Sequence, residues 1–456
     1  MKMGFKSTII SITLTSLLVM GCQGPRYRMF ASDTTPRNVK QLVDWETKGN
    51  GAGVRSNKKI QLQHYEIPLE AIEKDIRADL DPQVRESVIF KKEGKDYVRW
   101  LINPEDTKWH LELKNWLESK GLDSEPKTFF EGYYTASRSM IVVNPETGAS
   151  MSLKVSTNNT GGNWKDKKQD WVDAKQIRKI SDWVKSITEK MDAEHLVIQD
   201  EPFAVGIPDI DQAMIMRSLN DVPSGKHYYL PGFSALHSEV GRHIAEINGE
   251  VDPAKFWGKH YAESMGHAVA EFTAMTGVTY DSPHSQNFLI ELDEKMKPTG
   301  RIVLRDFGDS YIVKEFVENT HNHEMAKIWE SGNVHSKKLS LAVGILHGNQ
   351  PPDWMTSEIY DQWSKSFFKV FENDFSNITG IDISALQSSR FNMDYMYGYY
   401  GKNYSANNEA WLKWIEYANC LSGESKTLKG KKCLEMFTRH QKSVSCEGVV
   451  QNILLN

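Results

Sequence analysis

Two short runs hold the residue types of a magnesium–nucleotide site: His284-Ser285-Gln286-Asn287, and Arg305-Asp306-Phe307-Gly308-Asp309. Magnesium takes hard oxygen ligands, usually one or two protein carboxylates completed by amide oxygen, water and phosphate, and the phosphates themselves need a cation. Asn287 supplies the amide, Asp306 the carboxylate and Lys154 the cation. Residues 288–292 and 301–304 read as two strands joined by a loop ending Pro298-Thr299-Gly300, so a hairpin would bring Asn287 and Asp306 to one end. Taken alone, Asp-Phe-Gly is equally a tight turn closing a hairpin, and His284 with Asp306 a hydrogen-bonded structural pair.

The elements that must position these groups are legible upstream. Residues 139–143 and 150–155 are β-prone runs around Asn144-Pro145-Glu146-Thr147-Gly148, a turn signal, so a second hairpin is expected. Met151, Leu153 and Val155 share one face of it, which turns Lys154 to the other. Ile177, Ile180, Val184 and Ile187 recur at helical spacing and predict an amphipathic helix over 172–191, packed on the sheet. Trp257, Tyr261, Met265, Ala268 and Phe272 form one stripe of a further helix, and His260, Glu263, His267 and Glu271 a second. Without a distant third ligand the histidines of that second stripe satisfy each other or line the cleft rather than bind metal, and His321-Asn322-His323-Glu324 reads the same way. Residues 60–132 read as short mixed segments, mainly helical. Beyond 310 the pattern is again helical, most clearly over 354–372 and 408–420.

Composition bounds the partners. A net charge of −5 with mixed signs offers no basic field for nucleic acid. Residues 1–21 read as a secretory signal, with Lys2 and Lys6 before an apolar run, ending in the lipobox Val19-Met20-Gly21-Cys22. Cys22 would carry the lipid, and residues 22–59, rich in Gly and Asn, would form a flexible tether. The expected location is the cell envelope, lipid-anchored, at the outer membrane in a Gram-negative cell because Gln23 follows the lipidated residue. The other three cysteines, Cys420, Cys433 and Cys446, lack the short pairs of zinc knuckles. In an oxidising compartment two of them would pair as a disulfide.

The chain resembles the NRPS-independent siderophore synthetases, whose nucleotide site is in turn similar to that of protein kinases. His284-Ser-Gln-Asn287 is similar to their His-x-Gln-Asn element and Leu304-Arg-Asp-Phe307 to their Leu-Arg-Asp-Phe element. Upstream, Ala136-Ser-Arg-Ser139, Leu153-Lys-Val155 and Met214-Ile-Met-Arg217 resemble their phosphate-binding, lysine and arginine strands. The chain departs from the pattern in having no arginine after Thr157-Asn158, and Ser282 where an acid stands two positions before the histidine.

The resemblance implies an α+β, multi-lobed siderophore-synthetase fold with a kinase-like nucleotide cleft and a mainly helical C-terminal lobe. Its regions would be 60–132 (N-terminal, mixed and helical), 133–311 (nucleotide-binding) and 312–456 (helical). Carried over, Ser137, Arg138, Lys154, His284 and Gln286 would contact ATP, Asn287 and Asp306 would hold Mg2+, and Arg217, His284 and Arg305 would serve the chemistry. That chemistry is adenylation of a small carboxylate and its condensation with an amine or hydroxyl. The alternatives are a kinase-like phosphotransferase outside the cytoplasm and a catalytically silent ligand-binding lipoprotein.

Overall fold

In strand after strand, side chains alternate between a buried apolar face and a polar one, and this alternation builds the largest element of the computed structural model. The structure describes residues 34–49, 59–135, 138–160, 166–280, 284–320 and 351–383, with shorter stretches between 325 and 418. Nine strands form one wholly antiparallel sheet, in the order 73–76, 203–207, 212–217, 150–154, 139–143, 127–134, 60–68, 95–101, 89–92. One face is a core of side chains such as Val98, Trp100, Met140, Val142, Leu153 and Met216. The helix Lys108–Ser119 covers it through Leu113, Trp116 and Leu117.

The other face of the sheet is where polar chemistry collects. It meets a second sheet of four strands, in the order 227–231, 288–293, 298–304, 196–198, the last pair parallel. Ile141 and Val143 of the first sheet share a core with Leu289 and Val303 of the second. The helix Trp171–Lys190 starts where the Asp170 carboxylate accepts the Asp173 N–H at 2.7 Å. It sets Ala174 and Ile177 against Ala204, Ala213 and Ile215 of the large sheet, and commits Ile180, Val184 and Ile187 to the main core. That core is the contact between the helices Ser264–Thr276 and Ser357–Thr379. They cross closely at Gly266, where a Cβ would lie 2.8 Å from the Phe367 carbonyl oxygen.

Four expectations change. The stretch 60–132 holds five strands and only two helices of more than one turn, because its alternation is masked by charged side chains on solvent-facing positions, as in Lys95–Leu101. The expected tether contains the helix Arg37–Lys48, with Val39, Leu42 and Val43 buried in the core between the sheets. Beyond 311, the strands Lys338–Val343, Ser388–Met393 and Tyr399–Ser405 form an antiparallel sheet beside the long helix, so the described residues there are not all helical. The helix bearing His260 is interrupted by a π turn over Gly258–Glu263, which shifts the spacing of its polar stripe. The expected signal, Cys22, the three C-terminal cysteines and His321 to Glu324 lie outside the described residues. No helix among the described residues is long and apolar enough to cross a membrane.

Candidate functional site

The hairpin Ser139–Val143/Ser150–Lys154 closes through Asn144, whose side-chain oxygen accepts the N–H groups of Glu146 at 2.9 Å and Thr147 at 3.3 Å. Gly148 takes φ +76°, and a Cβ there would lie 2.7 Å from the Thr34 carbonyl oxygen. This turn sets the register that places Lys154 opposite Ser139 and Ser152 opposite Ile141. On the other side Ser152 stands opposite Arg217. Directly opposed residues share a face, so Lys154 and Arg217 project to the same side, away from Leu153 and Met216.

Asp306 arrives from the second sheet. Phe288 pairs with Leu304, and the Arg305 N–H donates to the Asn287 carbonyl at 3.1 Å, so the run His284–Asn287 and the run after Leu304 leave one end of the hairpin together. There Lys154 Nζ donates to Asp306 Oδ1 at 2.5 Å, and Arg217 Nη2 lies 3.5 Å from Oδ2. Asp306 itself has φ 68° and ψ 68°, a left-handed conformation that disfavours a residue with a Cβ. Phe307, fully buried, and the Tyr280 hydroxyl, which donates to the Arg305 carbonyl at 3.1 Å, hold that turn. Burial opposes the ionisation of Asp306, but Lys154 and then Arg217 outweigh it and keep its carboxyl well below the usual range.

The neighbours are equally constrained. His284 Nδ1 accepts the Gln286 N–H at 3.1 Å, which leaves the proton of the neutral ring on Nε2. Asn287 is buried beside Arg305. Arg305 donates from Nε to the Gln286 carbonyl at 2.8 Å and from Nη2 to Glu46 Oε1 at 2.6 Å. Arg138 donates to the Lys168 carbonyl and adds positive potential at Asp306. Ser137 lies outside the described residues.

Three polar residues of the site were not expected from sequence. Gln199, Asp200 and Glu201 follow the strand Leu196–Ile198, and their side chains alternate. Asp200 turns to Arg77 and Lys185. Glu201 Oε1 accepts from Arg217 Nη2 at 3.1 Å, and Gln199 Nε2 donates to the Ser218 carbonyl at 2.6 Å. Burial lifts the Glu201 pKa despite Arg217 and Lys154. The third is Glu46. A narrow cleft is lined by Glu46, Arg305, Arg217, Gln199, Gln286 and Ser152, among others. Glu46 Oε2, Gln199 Oε1 and Arg217 Nε are buried there without a hydrogen-bond partner, and so is Glu201 Oε2. Unsatisfied buried polar atoms call for an explanation, and around a cleft a polar ligand or water supplies one. The period-2 pattern of Gln199-Asp200-Glu201 was the one signal that could have found two of these residues.

The histidine stripe resolves into a structural pair rather than a metal site. His267 Nδ1 meets Asp374 Oδ2 at 2.5 Å, and its ring stacks on His195 at 4.4 Å between centroids and 24° between planes. Stacked rings keep their in-plane lone pairs parallel, so the two cannot converge on one ion. Burial opposes the charged form of His267, but the Asp374 hydrogen bond and charge outweigh it and raise its pKa. A raised folded-state value gives stability that is complete below the unfolded pKa, about 6.5, and is lost as pH rises through the folded one. Asp374→Asn should therefore cost more stability at pH 6 than at pH 9, measured by urea denaturation; equal costs would disprove the charged pair.

Among the described residues no group of three or more His, Cys, Asp or Glu side chains could hold a metal ion. A magnesium ion here would rest on the Asn287 amide and the Asp306 carboxylate, a donor set that suits an ion completing its shell with water and phosphate. For phosphates, Lys154, Arg217, Arg138 and Arg305 outnumber the carboxylates of Asp306, Glu201 and Glu46, and Arg217 Nε is a spare donor. The residues fit both groups.

No protein-family model matches the chain, and no curated protein matches it. Among solved structures, aerobactin synthetase IucC from a hypervirulent pathotype of Klebsiella pneumoniae is similar at a TM-score of 0.46 and 14% identity, over 70% of this chain and 61% of that one. ATP-bound aerobactin synthetase IucA from the same pathotype is similar at 0.45 and 11%, over 87% and 85%. Petrobactin biosynthesis protein AsbB from Bacillus anthracis is similar at 0.47 and 13%, over 73% and 62%. The matches thus span less than two thirds of the length of IucC and of AsbB.

Proposed function

We propose that this chain binds Mg-ATP in the cleft between its two sheets and uses it to condense a small carboxylate with an amine or hydroxyl, releasing AMP and pyrophosphate. One observation carries the reading: Lys154 and Arg217, from adjacent strands of one sheet, converge on Asp306 at the hairpin base that also carries His284 to Asn287. ATP supplies the adenylyl group that makes a carboxylate electrophilic. Lys154 and Arg217 neutralise phosphate charge, and Arg138, just before the neighbouring strand Ser139–Val143, extends that surface. Asn287 and Asp306 hold Mg2+, while His284, through Nε2–H, and Gln286 hydrogen-bond the nucleotide. Glu201 keeps Arg217 aimed at the phosphates. Arg305, fixed by the Gln286 carbonyl, orients the carboxylate. These residues work by neutralising charge and fixing geometry, with no covalent bond to the protein.

The test is product analysis. Purified protein with Mg-ATP, a panel of di- and tricarboxylates and hydroxylamine as a generic amine should form AMP and pyrophosphate. Formation of ADP instead would replace this reading with phosphoryl transfer. Failure of correctly folded protein to bind Mg-ATP would leave a ligand-binding protein without nucleotide chemistry.

A further inference from the structure

The cleft already contains an anion, and it belongs to the chain itself. Glu46 stands in the last turn of the helix Arg37–Lys48 and reaches Arg305 at 2.6 Å, its side chain 2% exposed and that of Arg305 7%. The pairing is incomplete. A guanidinium matches a carboxylate best through two parallel hydrogen bonds, but Arg305 Nη2 meets Oε1, and Glu46 Oε2 is buried without a hydrogen-bond partner. Arg217 lines the same cleft with its Nε also bare. Leaving a buried polar atom unpaired is costly, and the cleft as built holds an acceptor and a donor that do not satisfy each other.

An oxyanion lying between Arg305 and Arg217 would complete both arginines. It would also return the Glu46 carboxylate to water. Val39, Leu42 and Val43 anchor the helix in the core between the sheets, so displacement would move the Glu46 side chain rather than the helix. While Glu46 stays, each of the two arginines is matched by a carboxylate, Arg305 by Glu46 and Arg217 by Glu201, and an incoming anion must compete with Glu46 for Arg305.

We propose that Glu46 is a built-in placeholder for an oxyanion, carboxylate or phosphate, that binds between Arg305 and Arg217, and that ligand entry requires its displacement. The inference rests on reading the cleft as an oxyanion site and adds a gate to it. A binding-competent state that is only partly populated lowers apparent affinity by its fraction, so removing the placeholder raises affinity.

The test is calorimetric titration of wild type, Glu46→Gln and Glu46→Asp with succinate and with pyrophosphate. Glu46→Asp keeps the charge but shortens the side chain by one methylene, so it cannot reach Arg305 in this geometry. Both variants should bind one probe at least about tenfold tighter than wild type, and the probe that gains identifies the anion as carboxylate or phosphate. A gain in Glu46→Gln alone would mean simple charge removal and would overturn the placeholder, as would no gain in either. If Glu46→Gln does not fold, the Glu46→Asp comparison decides. Mg-ATP is titrated in parallel: normal binding without any gain from the Glu46 variants removes only the placeholder, whereas gains without Mg-ATP binding remove only the nucleotide reading.

Discussion

Lys154→Met should abolish Mg-ATP binding, a loss of at least about 100-fold, and should also destabilise the protein by about 3–5 kcal/mol. The second effect follows from leaving Asp306 ionised in a largely buried site with Arg217 at 3.5 Å and the field of Arg138 as its remaining compensation. Asp306→Asn should destabilise comparably for the mirror reason, since Lys154 is 6% exposed and would lose its counter-ion. The double variant Lys154→Met/Asp306→Asn removes both charges and should recover much of the stability without recovering binding. Calorimetry with Mg-ATP and urea denaturation of the three variants separate the two effects. Binding retained by a folded Lys154→Met protein would end the assignment of this lysine to phosphate.

Glu271→Leu should cost about 3 kcal/mol or more and should weaken nucleotide binding, although Glu271 lies outside the cleft. Its carboxylate accepts three backbone N–H groups, from Glu194 at 3.0 Å, His195 at 2.9 Å and Leu196 at 2.8 Å. Removing the acceptor orphans all three at a site where Glu271 is 4% exposed. The strand they begin is an edge of the four-stranded sheet, and it leads directly to Gln199 and to Glu201, which holds Arg217. Loss of order there should show as faster amide exchange over residues 194–201 and weaker Mg-ATP binding. Destabilisation with unaltered exchange at those amides would show that the cap does not position the strand.

Much of this arrangement was legible in the residues, and the reason differs by element. Residues 139–143 and 150–155 read as a hairpin because strong β-formers flank an Asn-Pro-Glu-Thr-Gly turn, and the strands run Ser139–Val143 and Ser150–Lys154. The predicted helix over 172–191 is Trp171–Lys190, since its apolar spacing is unbroken. The hairpin expected to bring the runs ending at Asn287 and holding Asp306 to one end does so, with the Arg305 N–H on the Asn287 carbonyl. Glu46 was not legible, because its role depends on a partner 259 positions away and its helix lies in a stretch whose glycines suggested a linker. The strands of 60–132 were hidden because solvent-facing Lys, Glu and Arg break the apolar runs that mark buried strands. The His260-to-Glu271 stripe misled for a third reason: a π turn adds backbone between its members, and no period read from sequence anticipates that.

Lys154 and Asp306 are 152 positions apart in the chain. At roughly 5–20 residues per second of synthesis, a nascent polypeptide exposes the lysine strand for on the order of ten seconds or more before its counter-charge exists. A product truncated before Asp306 never acquires that counter-charge, and one truncated before Phe288 also lacks the hairpin that delivers it. The ion pair thus forms only once synthesis has passed Asp306: until then the sheet carries a lysine strand whose charge has no partner from the second sheet.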